Sequence, residues 1–281
     1  MISRLGYIYS FFDQHRITNL LQHSMAPRYI PKPGTAPSVP RDARETYNTL
    51  KRGGVVIIPT DVGYALLTST QTGIQRIFSA KDRREGHNIG IIGTYKQHRQ
   101  IHVLSEAKFE MTRVLTEDMA MIVGIIAKYD TKSLHPRLAA LDPATLSQVT
   151  KGDTVSIAVP EGPFLRELGR LCDEGPEGML MFGTSANLTG QGQRFRIEDI
   201  EPRVIDAVDL VVDYGLQKWQ VYRRGGVNFD AENMKVLRKG AGYEVFRDRM
   251  LRWFPNLLKD AGVSLEEDPD FQISEPGMPA T

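Results

Sequence analysis

Residues 53–64, which read Gly-Gly-Val-Val-Ile-Ile-Pro-Thr-Asp-Val-Gly-Tyr, carry the clearest structural signal in the chain. Four apolar β-branched residues in a row, Val55 to Ile58, show no alternation, and this pattern predicts a strand buried on both faces. Pro59 has no backbone N–H to donate, so we expect the strand to end there. The residues that follow would lie on a loop at the strand end, where binding residues concentrate. A plain turn is the competing interpretation. The polar residues of this loop are Thr60, Asp61 and Tyr64.

The composition limits the classes of protein to which the chain can belong. It has 281 residues, 41% hydrophobic and 25% charged, enough for one large globular domain with appendages or for two small domains. The formal net charge of +1 gives no sign of a nucleic-acid binder. The single cysteine, Cys172, favours a reducing compartment and a buried thiol on a helix. No apolar run approaches the ~18 residues of a membrane span, so we expect a cytoplasmic protein that contacts no membrane.

The first 40 residues differ from the rest. Residues 1–24 contain two arginines and one acid among scattered apolar residues, a composition typical of a transit peptide that would direct the chain to mitochondria. A loose N-terminal helix or an upstream extension is the competing interpretation. Residues 26–40 contain five prolines and predict an extended arm.

From residue 41 the pattern becomes globular. Apolar periodicity predicts helices over residues 42–52, 72–81, 95–117 (in two pieces), 164–172, 197–207 and 243–258. Apolar runs predict strands over residues 55–58, 88–92, 119–127, 154–159, 179–182 and 210–212, with an irregular hairpin over 217–239. Residues 128–152 predict a long loop, and the acidic tail from Ala261 predicts disorder.

This mixture of strands and helices lacks strict alternation, so it predicts an α/β fold with a mixed sheet. We therefore divide the chain into three parts. Residues 1–40 would be an extension with the proline-rich arm, 41–245 the α/β domain, and 246–281 a C-terminal helix with an acidic tail.

Two further stretches carry groups suited to binding anions. Lys81-Asp82-Arg83 places two cations just after a predicted helix, where they can clamp a phosphate or a carboxylate. Residues 184–187, Thr-Ser-Ala-Asn, directly follow a predicted strand and offer hydroxyl, amide and backbone donors. A solvated basic turn and a Ser/Asn turn are the competing interpretations.

Other motifs narrow the chemistry. The phosphate-loop pattern Gly-x-x-x-x-Gly-Lys-Ser/Thr and the hydrolase pattern Gly-x-Ser-x-Gly are both missing from the sequence. His98 and His102 have the spacing of metal ligands, but no third ligand accompanies them, so we expect a solvent-facing pair and no metal site. Residues 218–224 interleave cations with aromatic residues, which favours either stacking on RNA or a packed loop with basic edges.

Taken in order, these stretches resemble the motifs of the YrdC-like family, the threonylcarbamoyl-AMP synthases. Residues 59–66, Pro-Thr-Asp-Val-Gly-Tyr-Ala-Leu, are similar to the family's Pro-Thr-Asp/Glu-Thr-Val-Tyr-Gly-Leu. Residues 81–83 match its Lys-x-Arg, and residues 185–190 resemble its Ser-Ala-Asn-x-Ser-Gly. Residues 236–240, Val-Leu-Arg-Lys-Gly, look like its closing Leu-Arg-x-Gly. The resemblance covers residues 42–242.

The resemblance implies a twisted open sheet with helices around a concave, positively charged cavity. It also implies ATP, bicarbonate and threonine as substrates, with Mg²⁺, and a carbamoyl-adenylate product that a transferase complex uses to modify tRNA. Lys81 and Arg83 would be catalytic and would hold phosphate and carboxylate charge. Further nucleotide contacts would come from Thr184, Ser185 and Asn187. The substrate-binding residues would be Thr60, Asp61, Tyr64 and Asp230.

The sequence also departs from the family pattern. Val62 stands where the family has a second threonine, and Ala158 stands where it has an arginine. The family's Pro-Gly-Pro-x-Thr segment is missing near residues 118–123, and its Ser-Thr-x-x-Asp segment keeps only Asp230. Because lost hydroxyls change selectivity, we expect threonine or another amine as acceptor. The alternatives are a non-catalytic module that binds nucleotide, tRNA or double-stranded RNA, and an enzyme that carbamoylates a small molecule.

Overall fold

The structure is a computed structural model that describes residues 26–83, 87–159, 162–174 and 178–270. The predicted transit peptide over residues 1–24 lies outside this part of the chain. The strands are β1 (Arg28–Ile30), β2 (Val56–Thr60), β3 (Gly63–Thr68), β4 (Gly90–Ile92), β5 (Val123–Lys128), β6 (Thr150–Lys151), β7 (Thr154–Ala158), β8 (Met181–Ser185), β9 (Leu210–Val212), β10 (Val227–Asp230) and β11 (Lys235–Arg238).

The helices surround these strands. They are α1 (Val39–Lys51), α2 (Gln71–Ala80), α3 (Tyr95–Ile101), α4 (Glu106–Arg113), α5 (Pro136–Ala139), α6 (Pro143–Val149), α7 (Gly162–Cys172), α8 (Pro202–Ile205), α9 (Tyr243–Trp253) and α10 (Pro255–Asp260). A π-helical turn, Val114–Asp118, follows α4, and two 3₁₀ turns occupy Ile197–Asp199 and Gln220–Tyr222. No helix in the described ranges combines the length and apolar character needed to cross a bilayer.

All eleven strands form one open mixed sheet in the order β1-β9-β2-β3-β8-β4-β7-β5-β10-β11, with β6 paired to β7. The pairs β1–β9, β9–β2, β4–β7 and β5–β10 are parallel, and the others are antiparallel. The predicted α/β class with a mixed sheet is therefore confirmed.

The predicted strand of residues 55–58 is buried on both faces, as expected. Ile57 packs in one core cluster with Ile77 of α2, whereas Ile58 packs in a second cluster with Leu168 of α7. Each such burial contributes about 1.5–3 kcal/mol. Cys172 is a fully buried member of the second cluster, which confirms the predicted core thiol. A third cluster joins β5 and β10 to α4 and α9.

Pro59 does not end the strand, so that prediction is wrong. β2 continues to Thr60 and returns as β3 through a hairpin in which Pro59 faces Tyr64. The N–H of Tyr64 donates to the Arg194 carbonyl, and its own carbonyl accepts from Ala186, so Tyr64 exchanges no backbone bond with Pro59. The parallel pairing of β2 with β9 stops at Ile57. The missing N–H of Pro59 therefore removes no ladder bond.

Three other segments are more ordered than the sequence predicts. Within the proline-rich arm, Arg28–Ile30 joins the sheet beside β9, and the predicted loop over 128–152 contains α5, α6 and β6. The acidic tail is not disordered over residues 261–270, because Leu265 is buried in the third cluster and Tyr243 donates to the Glu266 carbonyl at 2.6 Å. The rest of that tail lies outside the described residues.

Candidate functional site

A cavity of about 490 Å³ lies along the sheet between β3 and β11. This volume is within the range of small-molecule sites. Its floor is formed by β8, β4, β7 and β5, and its walls by the β2–β3 hairpin, the segment after α2 and the β10–β11 hairpin. The polar side chains that line it are Thr60, Arg83, Asn88, Lys151, Thr154, Ser156, Thr184, Ser185, Gln193, Asn228 and Arg238.

Arg83 forms the part of the cavity wall beside β8. It follows the C-terminus of α2 after Asp82, whose φ of 52° turns the chain back so that the Arg83 N–H donates to the Phe78 carbonyl at 3.0 Å. The guanidinium donates to the Asn88 carbonyl at 2.8 Å and to the Thr184 hydroxyl at 2.6 Å. Burial lowers the pKa of this guanidinium. The arginine predicted to bind an anion thus lies on the cavity wall.

Lys81, by contrast, does not point into the cavity. Its side chain is 1% exposed, and its ammonium donates to the backbone carbonyls of Ser185 and Asn187. Burial, and secondarily the charge on Arg83, lowers the pKa of Lys81 to about 7. The structure therefore makes Lys81 the support of the loop after β8, and it does not place this residue where we expected it to touch phosphate.

In the predicted polar stretch of residues 184–187, some side chains likewise line the cavity and others do not. Thr184 and Ser185 are the last two residues of the strand and line the cavity. Asn187 does not line it. Its amide donates to the Leu188 carbonyl at 2.6 Å, and its Oδ1 atom is buried without a hydrogen-bond partner among the described residues.

The predicted substrate-binding residues do not converge on one site. Thr60 lines the cavity, and its hydroxyl donates to the Gly63 carbonyl. Asp61 instead lines a neighbouring cavity of about 290 Å³, where its carboxylate is 3.2 Å from the Lys218 ammonium.

Neither Tyr64 nor Asp230 lines either cavity. The Tyr64 ring is fully buried in the core, and its hydroxyl donates to the Gly215 carbonyl at 2.8 Å. Burial, and secondarily the charge of Asp213, raises the pKa of Tyr64. Asp230 accepts from the N–H groups of Glu232 and Asn233 in the turn after β10. Neither side chain can contact a ligand in the larger cavity.

Arg238 was not predicted as a site residue, yet it lines the opposite wall of the cavity. Its guanidinium donates to the Gly226 carbonyl at 2.8 Å and to Asn228 at 3.1 Å, and burial lowers its pKa. The family's closing Leu-Arg-x-Gly was the signal that could have identified it. Gln193, which donates to the Tyr64 carbonyl at 3.1 Å, had no comparable signal.

The charged side chains among the described lining residues are all cationic: Arg83, Lys151 and Arg238. Neither Arg83 nor Arg238 has a carboxylate partner among the described residues, since their hydrogen bonds go to carbonyl, hydroxyl and amide oxygens. The same ranges contain no group of three side chains suited to hold a metal ion. The cavity therefore offers its cations to an anionic ligand.

The histidine pair was expected to face solvent, and this expectation is wrong. His98 and His102 are 0% and 4% exposed, and their Nδ1 atoms are 2.6 Å apart. The apolar ring of Phe109 packs against His98 at 5.2 Å. Helical spacing placed the two rings together as expected, but the packing of α4 over α3 buried them.

Residues 48–240 match the model of the Sua5/YciO/YrdC family, which carries the description "Telomere recombination". The chain belongs to this family. The match covers more than half of the chain and confirms the assignment made from the motifs at residues 59–66, 81–83 and 185–190. No curated protein matches the chain significantly.

Solved structures share the fold at low identity. The hypothetical protein smu.1377c from Streptococcus mutans is 22% identical with a TM-score of 0.65, over 82% of this chain and 96% of that one. Sua5 from P. abyssi, complexed with L-threonine, is 18% identical with a TM-score of 0.54, over 72% of this chain and 54% of that one.

Full-length HypF, in its phosphate- and nucleotide-bound form, is 18% identical with a TM-score of 0.54. The alignment covers 72% of this chain and 29% of HypF. This chain thus spans about half of Sua5 and less than a third of HypF. These similarities show a YrdC-like fold.

Proposed function

We propose that the cavity binds ATP and joins it to the carbamate of an amine, forming a carbamoyl-adenylate. The observation that carries this proposal is the pair of guanidinium groups of Arg83 and Arg238, which line one cavity without a carboxylate among the described residues to neutralise them. A cation that is partly shielded from water and has no counter-charge is less stable than a paired one, and phosphate or carboxylate groups of a ligand would supply that counter-charge. Arginine also binds both groups in a bidentate manner.

The two arginines suit different parts of such a ligand. Arg83 is linked to Thr184, next to Ser185 at the end of β8, and together these groups would hold phosphate oxygens. Arg238 lies on β11, five strands along the sheet from β8. Each arginine would therefore hold its own anionic group of the ligand.

The reaction needs no covalent protein intermediate. The amine adds to bicarbonate, water leaves, and a carbamate forms. A carbamate oxygen then attacks the α-phosphorus of ATP, the bond to the β-phosphate breaks, and pyrophosphate leaves. Phosphoryl chemistry of this kind depends on positioning and charge stabilisation. Mg²⁺ would enter as the complex with ATP, since the described lining offers hydroxyl and amide oxygens but no carboxylate.

The comparisons with solved structures support this proposal through the ligands that those proteins bind. P. abyssi Sua5 was solved with L-threonine and full-length HypF with phosphate and nucleotide, so two proteins that contain this fold bind these kinds of ligand. We propose a carbamoyl-adenylate for tRNA modification as the product, with threonine or another amine as acceptor. A second candidate is a nucleotide- or RNA-binding module without turnover, favoured by the apolar Val62 and Ala158 on the cavity wall.

The test is bicarbonate-dependent release of pyrophosphate by the purified chain, supplied with ATP, Mg²⁺ and a panel of amino acids. We expect release with at least one amine. Arg83→Met and Arg238→Met should each lower nucleotide affinity by about 10- to 100-fold, because each removes a charge-assisted contact of about 1.5–3 kcal/mol.

Arg170→Met is the matched control, since Arg170 is exposed on α7 and pairs with Glu167 away from the cavity. It should change neither readout. Folded protein that binds ATP but releases no pyrophosphate with any amine would refute catalysis and leave the binding module. Unchanged ATP affinity in both cavity variants would refute the site itself.

A further inference from the structure

The end of the described chain bonds to the open end of the β10–β11 hairpin. We define the strap as residues 265–270. Leu265 anchors the strap by packing in the third core cluster. From α9, Arg247 donates to the Leu265 carbonyl at 2.8 Å. Tyr243 of the same helix donates to the Glu266 carbonyl at 2.6 Å. The strap is therefore fixed to α9 where it approaches the hairpin.

The strap holds both chain segments at the open end of the hairpin. Before β10, the Arg224 guanidinium donates to the carboxylates of Asp268 and Asp270. After β11, the Lys239 ammonium donates to the Glu267 carbonyl at 2.7 Å. The Asp268 side chain is 5% exposed, and the loss of one partner from a buried ion pair is strongly destabilising. Asp268 is therefore the strap residue whose loss should most disturb this end of the hairpin.

The segment that Arg224 begins sets the orientation of Arg238. Gly225 and Gly226 directly follow Arg224 and line the cavity. The Gly226 carbonyl accepts from both Nε and Nη2 of Arg238, at 3.1 and 2.8 Å. A Cβ at Gly225 would lie 3.3 Å from Nη2 of Arg238, so this backbone packs against the guanidinium. The Gly225 carbonyl also accepts from the Ala241 N–H at 2.8 Å, which closes the open end of the hairpin.

Resting on the proposed function, we infer that Asp268 is a positioning residue for the nucleotide: through Arg224 it holds the backbone that orients Arg238. Asp268 itself lines neither cavity. Every acidic residue of the strap would by charge alone repel an anionic ligand, but solvent ions screen such repulsion beyond about 8 Å. The guanidinium of Arg238 would act in direct contact with the ligand. We therefore expect the loss of Asp268 to weaken binding.

The experiment measures ATP affinity by titration calorimetry on the purified full chain, with the melting temperature recorded beside it. Asp268→Ala should weaken ATP binding about tenfold, because Arg238 is no longer held in its binding orientation. Glu267→Ala is the matched control. It removes an acid from the neighbouring strap position, where the carboxylate pairs with Arg247 at 3.5 Å, and it keeps the carbonyl that binds Lys239. It should change the affinity by less than about twofold.

A double variant separates positioning from a general loss of structure. Asp268→Ala combined with Arg238→Met should bind ATP no more weakly than Arg238→Met alone, because nothing is then left to position. A loss of structure elsewhere would add to the effect of Arg238→Met. Arg224→Met breaks the same ion pair from the hairpin side, and it should weaken ATP binding as much as Asp268→Ala does.

Each outcome decides the inference. Unchanged or tighter ATP binding by Asp268→Ala, or losses that add in the double variant, overturns it while ATP binding by the natural chain upholds the proposed site. If the natural chain binds no ATP, the proposed function fails, and the inference is judged by hydrogen exchange at the Ala241 amide. Faster exchange in Asp268→Ala than in the natural chain and Glu267→Ala supports it. Equal exchange in all three overturns it.

Discussion

Acidification from pH 7 to pH 5 should destabilise the fold through His98 and His102. Their Nδ1 atoms are 2.6 Å apart, so one donates and the other accepts. The Nε2 atom of His102 lies 3.1 Å from the Val155 carbonyl, which can only accept, so this nitrogen carries the proton of His102. His98 is then protonated on Nδ1, and its Nε2 accepts from the Thr112 hydroxyl at 2.9 Å. Two neutral rings satisfy the contacts of both histidines, and in this arrangement the Thr112 hydroxyl gives its single proton to His98 and not to the Phe109 carbonyl 2.8 Å away.

The magnitude follows from the pKa values. Burial, and for His98 also the proximity of His102, lowers the pKa of His98 to about 3 and that of His102 to about 4. In the unfolded chain both titrate near 6.5. Above about pH 6.5 the two histidines therefore do not lower the free energy of unfolding. That free energy declines as the pH falls through 6.5 towards 4. By pH 5, protonation of the unfolded chain lowers the free energy of unfolding by about 2 kcal/mol for each histidine, or about 4 kcal/mol for the pair.

Urea denaturation followed by circular dichroism at pH 7, 6 and 5 measures this loss. A loss of about 4 kcal/mol is a large part of the free energy of unfolding of a folded domain, which is typically about 5–15 kcal/mol. The double variant His98→Gln/His102→Gln should be less stable at pH 7 but much less sensitive to acid. His87→Gln is the control, because His87 is exposed, and it should keep the full slope. The reasoning is wrong if the natural chain loses less than about 1 kcal/mol, or if the double variant loses as much as the natural chain.

Three further changes test other parts of the structure by urea denaturation. Lys81 is neutral above about pH 7 in the folded chain but charged up to about 10.5 when unfolded, so stability should rise between pH 7 and 9 by about 1.4 kcal/mol per pH unit. Lys81→Met should remove that rise, and an unchanged slope would contradict the assignment. Gly240→Ala should cost more than about 2 kcal/mol, because the added Cβ would lie 2.2 Å from the backbone of Gly226. Gly90→Ala is its control, with no contact closer than 3.6 Å, and similar losses in both would argue against this packing. Leu265→Ala should cost about 2–5 kcal/mol, and a loss below 1 kcal/mol would mean that the tail does not pack in solution.

The strands and helices that could be predicted from sequence are those whose apolar pattern is compatible with only one type of secondary structure. Residues 55–58, 154–159 and 210–212 were predicted within two residues of the observed strands, because β-branched residues on a buried sheet leave little alternative. The prediction that the strand ends at Pro59 was wrong because the cost of a missing N–H depends on whether the neighbouring strand extends far enough to pair with it. That depends on the position of β9, about 150 residues further along the chain.

The motifs at residues 59–66, 81–83 and 185–190 were sufficient by themselves to determine the family and the α/β class, since they record local residue types in a fixed order. Only the tertiary structure decided which side chains of those motifs face the cavity. Lys81 and Arg83 are two residues apart, yet one ammonium bonds to carbonyls more than 100 residues away while the other side chain forms the wall. A side chain points towards the partners that satisfy its charge, and those partners come from β8, which the sequence around Lys81 does not contain.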